Sequence, residues 1–495
     1  MILEKRFHLI AKIHNNVVSF AKKQLRMLRR DHDYVEARKN YAAAIKAGNS
    51  ATLDDAKAAM NSRVAHFGLD RNGVDAFVAV DGAKYKKHLT SQQCQKEAER
   101  VLSGVEKVLY RNGNDVHYKK YEDISTICSK SPTNGIRLYT AEHKEFLYSK
   151  MEEPETDCIL WNGLQIPIKV NWKDPYIEAA MRNHDIAYCE IQRLIFNDGW
   201  HYYVRIYFRG EAPKKIKAGS GRMGIDPGVS TMAAVGENAV FLRELAPESI
   251  NYNRQIIRLQ RQIDNSKRAS NPDNYNADGT VKRGKHKWEY TKSCLRKMRK
   301  LKVLYRKKSA VIRQSHEKLA NLLIQNANHF FVENMNYAAL GKRSKTTERQ
   351  DHTSEVRDKR GHIKQVRKFK KKKRFGKSLN NRAPALFLTI LSMKCKQYGL
   401  EYTEAITRDF KASQLDHTTG VYTPPRLDQR FKVIGGHTVQ RDLYSAFLLR
   451  NSAADVSHAN LRLCKTTFPA FLDMHDKEIN DLISSGVSMK QCFGF

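Results

Sequence analysis

The sequence predicts a multidomain α+β chain in three successive parts: a mainly helical part, a strand-rich part, and a mixed α/β part with an inserted helical hairpin. Three observations predict it. Near the start, Val17, Val18, Ala21, Leu25 and Leu28 recur at helical spacing. Farther on the period changes to two, and Leu164, Ile166, Ile168, Val170 and Trp172 alternate with other residues. Short apolar strand patterns then appear at MGIDPGVSTMAAVG and HFFVEN, separated by two long helical patterns. A chain of 495 residues also has room for more than one folded unit.

Residues 1–133 form the helical part. A second stretch, around 42–67, is Ala-rich and has Asp54 and Asp55 early, where acids favour a helix start. Basic residues fill the gaps, KKQLRMLRR being the densest run, and on any single helix they read as a solvated face. Residues 134–216 form the strand-rich part, in which Pro167 points to an edge position. CEIQRLIF, then Asn197-Asp198-Gly199, then WHYYVRIYF reads as a β-hairpin. Val204, Ile206 and Phe208 would face one side; Tyr203, Arg205 and Tyr207 the other. That second face suits stacking on nucleotides, and is also what ordinary barrels show.

GEAPKKIKAGSGR, over 210–222, reads as a linker, with a boundary between 216 and 217. Residues 217–452 form the mixed part. Its hairpin spans 250–327: Ile256, Leu259 and Ile263 line one helix, and Leu295, Met298, Leu301, Tyr305, Ile312, Leu319 and Leu323 a longer one. The join, NPDNYNADGTVKRGKHK, is polar, turn-rich and expected to be mobile. A basic segment over 342–377 contains KFKKKKRFGK. Such runs are usually solvated tails or localisation tags. This one lies between a strand and a helix, so Lys370, Lys371, Lys372, Lys373 and Arg374 are read as contacts to nucleic-acid phosphates. Residues 453–495 read as a C-terminal tail.

Charge narrows the partner. The chain has 88 Lys and Arg against 52 Asp and Glu, a formal net charge of +36. That excess repels itself and serves no small-molecule chemistry. A polyanion neutralises it and gains the release of its own counterions. Nucleic acid is therefore the expected partner, ahead of an anionic membrane. No apolar run approaches the length of a membrane span, and no signal peptide is visible, so a cytoplasmic, nucleoid-associated location is expected. The eight cysteines are scattered without a CxxC pair, which argues against a disulfide framework and a Cys-type zinc site.

Three acids stand out. Asp226 ends the strand pattern MGID before the Pro227-Gly228 turn; Glu333 ends HFFVE; Asp442 opens a helix marked by Leu443, Ala446, Phe447 and Leu449. Each alone has a plain structural role, Asp226 as a turn former and Asp442 as an N-cap. Far apart in the chain, they share no local structure. Two strand ends and a helix start can, however, bring them together. Hydrolysis of a phosphodiester needs an activated water and a stabilised leaving oxygen, which two divalent ions held by carboxylates supply. Such hard oxygen ligands suit Mg²⁺.

The order of GIDPG, FVEN and RD-helix resembles the RuvC-type nuclease domain, an RNase H-like fold. The whole arrangement resembles the TnpB nucleases of transposons and the compact type V CRISPR effectors. The specific match covers residues 220–452, including the basic hairpin. It implies that Asp226, Glu333 and Asp442 bind two Mg²⁺ ions and cut DNA. It also implies that 1–133 is a helical recognition domain, that 134–216 is a wedge-like β-barrel, and that guide RNA and double-stranded target DNA are the partners. In that scheme base pairing reads the target and the protein reads a short flanking motif. An RNA-guided DNA-binding repressor without cleavage, or a transposon-associated DNA-processing protein, is the alternative. Loss of an acid would be expected of the repressor, and all three are present.

Two departures from the family pattern matter. Many relatives carry a four-Cys zinc ribbon before the third acid. The stretch 411–440 here has no Cys, and Asp416, His417, Asp428 and His437 lack zinc-site spacing, so a loop that folds by packing, without structural zinc, is expected. The chain also opens almost directly into helix, so the first barrel strand is expected to be short or missing.

Overall fold

The computed structural model describes residues 2–487 apart from 48–49, 111–112, 142, 144–152, 278, 342–350, 352, 358–361, 368–374 and 426–428. The basic cluster Lys370, Lys371, Lys372, Lys373 and Arg374 therefore lies outside the described residues, as does Asp428. The chain divides into two units, 1–211 and 212–495, five residues before the boundary expected from the linker.

In the first unit, α1 (Ile2–Leu28), α2 (His32–Ala47), α3 (Ser50–His66), α4 (Arg71–Ala83) and α5 (Ser91–Tyr110) come first. The strands β1 (Thr126–Cys128), β2 (Ile136–Tyr139), β3 (Cys158–Trp161) and β4 (Leu164–Pro167) follow, then α6 (Pro175–Asn183), β5 (Ile186–Ile195) and β6 (Trp200–Phe208). The described strands make two three-stranded sheets, β1-β5-β6 and β2-β3-β4, the second placing Pro167 on an edge. Helices and sheets share one core: Val17, Val18, Ala21 and Leu25 of α1 pack in the same cluster as Ile136, Trp161 and Ile191. Buried Arg6 ties α1 to β3. It donates to the Trp161 carbonyl at 2.8 Å, and its guanidinium lies 4.2 Å over the indole. On the hairpin, Val204, Ile206 and Phe208 pack on this core. Tyr203 is exposed and Tyr207 stacks on Tyr188 at 4.4 Å.

The second unit is built on a five-stranded sheet of β7 (Arg222–Pro227), β8 (Thr231–Val235), β9 (Val240–Glu244), β10 (His329–Glu333) and β13 (Glu401–Ala405), in the order β13-β10-β7-β8-β9. β7, β8 and β9 run antiparallel in succession; β10 is parallel to both β7 and β13. Alternation along the strands divides the side chains between two cores. Met223, Ile225, Met232, Ala234, Phe330 and Val332 face α8 (Lys292–Ile324) and α11 (Pro384–Tyr398). Ala233, Val235, Leu242 and Phe331 face α13 (Arg441–Arg450) and α14 (Leu461–Ser484).

The helix α7 (Asn253–Ser270) packs on α8 through Ile256, Leu259 and Leu304. Their join is not a free loop: Tyr275 bridges to Val281, Arg268 donates to the Gly279 carbonyl at 2.8 Å, and Lys267 lies 4.7 Å over Trp288. The short helix α9 (Tyr337–Gly341) precedes the basic segment and α10 (Gly376–Arg382) begins at its end; its described residues include the ribbon β11 (Ser354–Arg357) and β12 (Ile363–Val366). A four-residue helix, α12 (Thr407–Phe410), leads into 411–440. There β14 (Phe431–Ile434) pairs with β15 (His437–Gln440).

The stretch 453–495, expected as a tail, instead holds the 24-residue helix α14. Phe468, Phe471 and Ile479 complete the core beneath the sheet, and Glu478 accepts from the Leu242 amide at 2.9 Å. Its apolar residues are diluted by charges and its interior carries Pro469, which hides the helical pattern in the sequence.

Candidate functional site

Position along the sheet brings the three acids to one place. Ile225 faces the α8 side, so Gly224 and Asp226 face the α13 side. Val332 pairs with Ile225, and Glu333 therefore lies beside Asp226 at the same ends of two parallel strands. Phe331 is on the α13 face, and Glu333, two residues on, shares it. Asp442 enters from the first turn of α13.

Gly224 makes the approach possible. A Cβ at that position would overlap the Ala446 carbonyl and the Arg450 amide, so only glycine lets α13 lie directly on the strand. Nothing in the motif GIDPG marks this need, since it depends on a helix more than two hundred residues later.

Asp442 is not the N-cap. Gln440 is: its side-chain oxygen accepts from the Leu443 amide at 2.6 Å. Asp442 follows two positions later, where the helix dipole favours an anion. Arg441 donates to its Oδ1 at 3.0 and 3.1 Å and also holds the Gln429 carbonyl at 2.8 Å. The side chains of Arg441 and Asp442 remain 16% and 18% exposed, which leaves the carboxylate reachable from solvent.

Asp226 shares a hydrogen bond with Glu333, and its carboxyl stands well above the usual carboxylate range. Burial is the largest cause, followed by the negative charge of Glu333 and then that of Asp442, with Arg441 opposing them. Three carboxyl groups thus act on one another at the end of the sheet with one cation beside them. Tyr337 braces the turn after Asp226 by donating to the Pro227 carbonyl at 2.9 Å. Its phenol is also pushed up, by burial and then by Asp226 and Glu333. Asn334 fixes the chain leaving Glu333, donating to the Ala405 carbonyl at 3.0 Å and to Glu404 at 2.8 Å.

The donor set suits a hard divalent cation: oxygen only, with negative charge in excess. The side chains stand as a pair and a neighbour rather than a cage. Among the described residues no group of three or more His, Cys, Asp or Glu is gathered to hold an ion as it stands.

Of the residues considered for zinc, Asp416, His417 and His437 are described. His417 is buried, its Nδ1 2.8 Å from the Tyr444 hydroxyl and its ring 4.6 Å from that of Phe468. Burial pulls its pKa down. His437 is exposed on β15, and Asp416 accepts from the Thr418 amide at 2.8 Å.

No protein-family model and no curated protein matches the chain. Among solved structures, the chain is similar to that in a cryo-EM structure of the Cas12f1-sgRNA-target DNA complex. Identity is 12%, with 90% of this chain and 82% of that chain covered and a TM-score of 0.41. A cryo-EM structure of a CRISPR-Cas12f ternary complex is similar at 12% identity, covering 90% of this chain and 81% of that chain at a TM-score of 0.28.

Proposed function

We propose that the chain is an RNA-guided DNA endonuclease that hydrolyses target DNA at Asp226, Glu333 and Asp442. What supports this reading is the position of the acids, Asp226 and Glu333 at adjacent strand ends and Asp442 in the first turn of the helix laid on that sheet, together with a raised Asp226 pKa caused by burial and then by the charges of Glu333 and Asp442. A cluster of like charges at a sheet end destabilises the fold and persists where function needs it. The sheet, three strands antiparallel and two parallel, supports the RNase H-like reading.

In the mechanism, Asp226 and Glu333 would be the paired ligands and Asp442 the third, holding Mg²⁺ at the strand ends. Bound there, Mg²⁺ would supply an activated water and charge neutralisation at the scissile phosphate. The chain's own work is placement. The parallel strands fix Asp226 and Glu333 at one level, and Gly224 lets α13 bring up Asp442. Arg441 orients that carboxylate, and Tyr337 holds the turn after Asp226.

Guide RNA and target DNA are the proposed partners, drawn by the +36 charge. The test begins with the RNA that copurifies with the chain at moderate salt. Sequencing it gives the guide, and a duplex matched to it, beside a permissive flanking motif, should be cut with Mg²⁺ and not with EDTA. Matched duplex that is bound and never cut would support the repressor reading. The absence of any protected RNA would remove the guide from the account.

A further inference from the structure

A cavity of about 860 Å³ lies among α7, α8 and α10, and none of the three acids lines it. Its buried wall carries a cation without a counter-charge. Lys308 is 8% exposed, and its Nζ donates to Asn253 Oδ1 at 2.8 Å and to Asn381 Oδ1 at 2.6 Å. Among the described residues no carboxylate reaches it. The neighbouring charge is another cation, Arg382, which together with burial draws the pKa of Lys308 down. Arg382 is itself occupied by Glu244 and by the Leu245 and Ala246 carbonyls. An ammonium has three N–H groups, and here two find acceptors, both neutral. A buried ammonium held only by amides is costly until an anion completes it.

The amides point to the same ligand. An ammonium only donates, so Asn253 and Asn381 must turn their oxygens to it and their NH₂ groups away. Neither NH₂ has a partner among the described residues. Tyr305 accepts from Gln260 Nε2 at 2.9 Å and keeps its own O–H to give. Lys377 adds a cation to the lining. The lining is thus rich in donors and suits oxygen acceptors. Beside it runs an apolar wall: Ile256 and Ile312 are buried, and Ile257 and Tyr305 are 40% and 44% exposed. Donors for an oxyanion next to an aromatic-aliphatic face match a phosphate joined to a base.

We infer that this cavity binds a phosphorylated nucleotide, with the phosphate on Lys308 and the NH₂ groups of Asn253 and Asn381, and the base against Tyr305 and Ile257. The nucleotide is either free or one unit of a strand. The proposed nucleic-acid function bears only on that choice; the chemistry of the cavity stands without it.

The test titrates the full-length chain, stripped of nucleic acid, with adenosine and uridine monophosphates, the matching nucleosides and inorganic phosphate, by calorimetry. The monophosphates should bind saturably, with nucleosides and phosphate each at least about tenfold weaker. Asn381→Asp gives Lys308 a carboxylate and so fills the anion's place. It should cost monophosphate binding about tenfold or more while the melting temperature holds or rises. Tyr305→Leu should lower affinity for monophosphates and leave that for phosphate unchanged. A single-stranded oligonucleotide carrying 4-thiouridine, crosslinking to Tyr305 and competing with the monophosphate, identifies a strand; competition by free nucleotide alone identifies a small ligand. Equal binding to wild type and Asn381→Asp, or none to wild type, overturns the inference. Asp226→Asn should bind monophosphate as the wild type does, so loss of cleavage and loss of this pocket are read separately.

Discussion

At the scale of single residues, Asp226 makes a prediction that a turn-forming aspartate does not. Its raised pKa means that ionising it in the folded, metal-free protein is unfavourable. The group stabilises the fold while protonated, below the ordinary carboxylate range, and that contribution is lost as pH rises through its raised folded pKa. Asp226→Asn removes the charge and keeps the shape. In EDTA at neutral pH this variant should therefore melt above the wild type, with the gain shrinking as the solution is acidified. Mg²⁺ should reverse the order by stabilising the wild type more. A variant that melts lower at neutral pH without metal would show that Asp226 is structural. Asp442 has no capping role to lose, since Gln440 caps the helix. Gln440→Ala should cost about 1 kcal/mol of stability, measured by denaturant unfolding, whereas Asp442→Asn should cost much less.

At the scale of elements, the seat of α13 on β7 is the joint on which the proposed centre depends. Gly224→Ala would drive a methyl into the Ala446 carbonyl and the Arg450 amide. A loss of at least about 2 kcal/mol is expected, with cleavage falling further than folding because Asp442 is displaced from Asp226. A normal cleavage rate in folded Gly224→Ala would mean that this contact does not place the acid. The far side of the joint is held by α14. His475 Nε2 accepts from the Gln440 amide at 2.9 Å, so the ring is neutral, with its Nδ1 proton on Asp476 at 2.8 Å. Burial lowers its pKa, outweighing Asp476. The linkage runs accordingly: stability is full above the ordinary histidine range and is lost as pH falls through and below it. His316 and His417 share the sign. His475→Gln keeps an acceptor and removes one titration, so its melting temperature should fall less steeply than the wild type's from about pH 7 to 5. Parallel slopes would contradict this. These contacts show what was legible in the sequence. The places of Asp226 and Glu333 at strand ends and of Asp442 at a helix start were, because strand and helix-start patterns are local and end on each acid. Gly224, Gln440, Tyr337 and His475 were not, because each acts through a partner far along the chain. The helix α14 was missed because Pro469 and interspersed charges blur its period.

At the scale of the whole molecule, two units with separate cores carry one excess of positive charge. The charge was legible from composition; the shared core of helices and sheets in the first unit was not, since composition changes between its parts while packing joins them. Binding should rest on these basic surfaces and on base pairing, and cleavage on three carboxylates at one sheet end. The two activities should therefore separate. The measurement that tests this most directly takes wild type, Asp226→Asn and Asp442→Asn, each with the same guide RNA, and follows binding and cutting of one matched duplex in Mg²⁺. Binding should stay within about twofold, while cutting falls by a factor on the order of a hundred or more, the scale lost when one partner of a developing charge is removed. Variants that cut at the wild-type rate, or that lose binding and cutting together while still folded, would contradict the carboxylate centre.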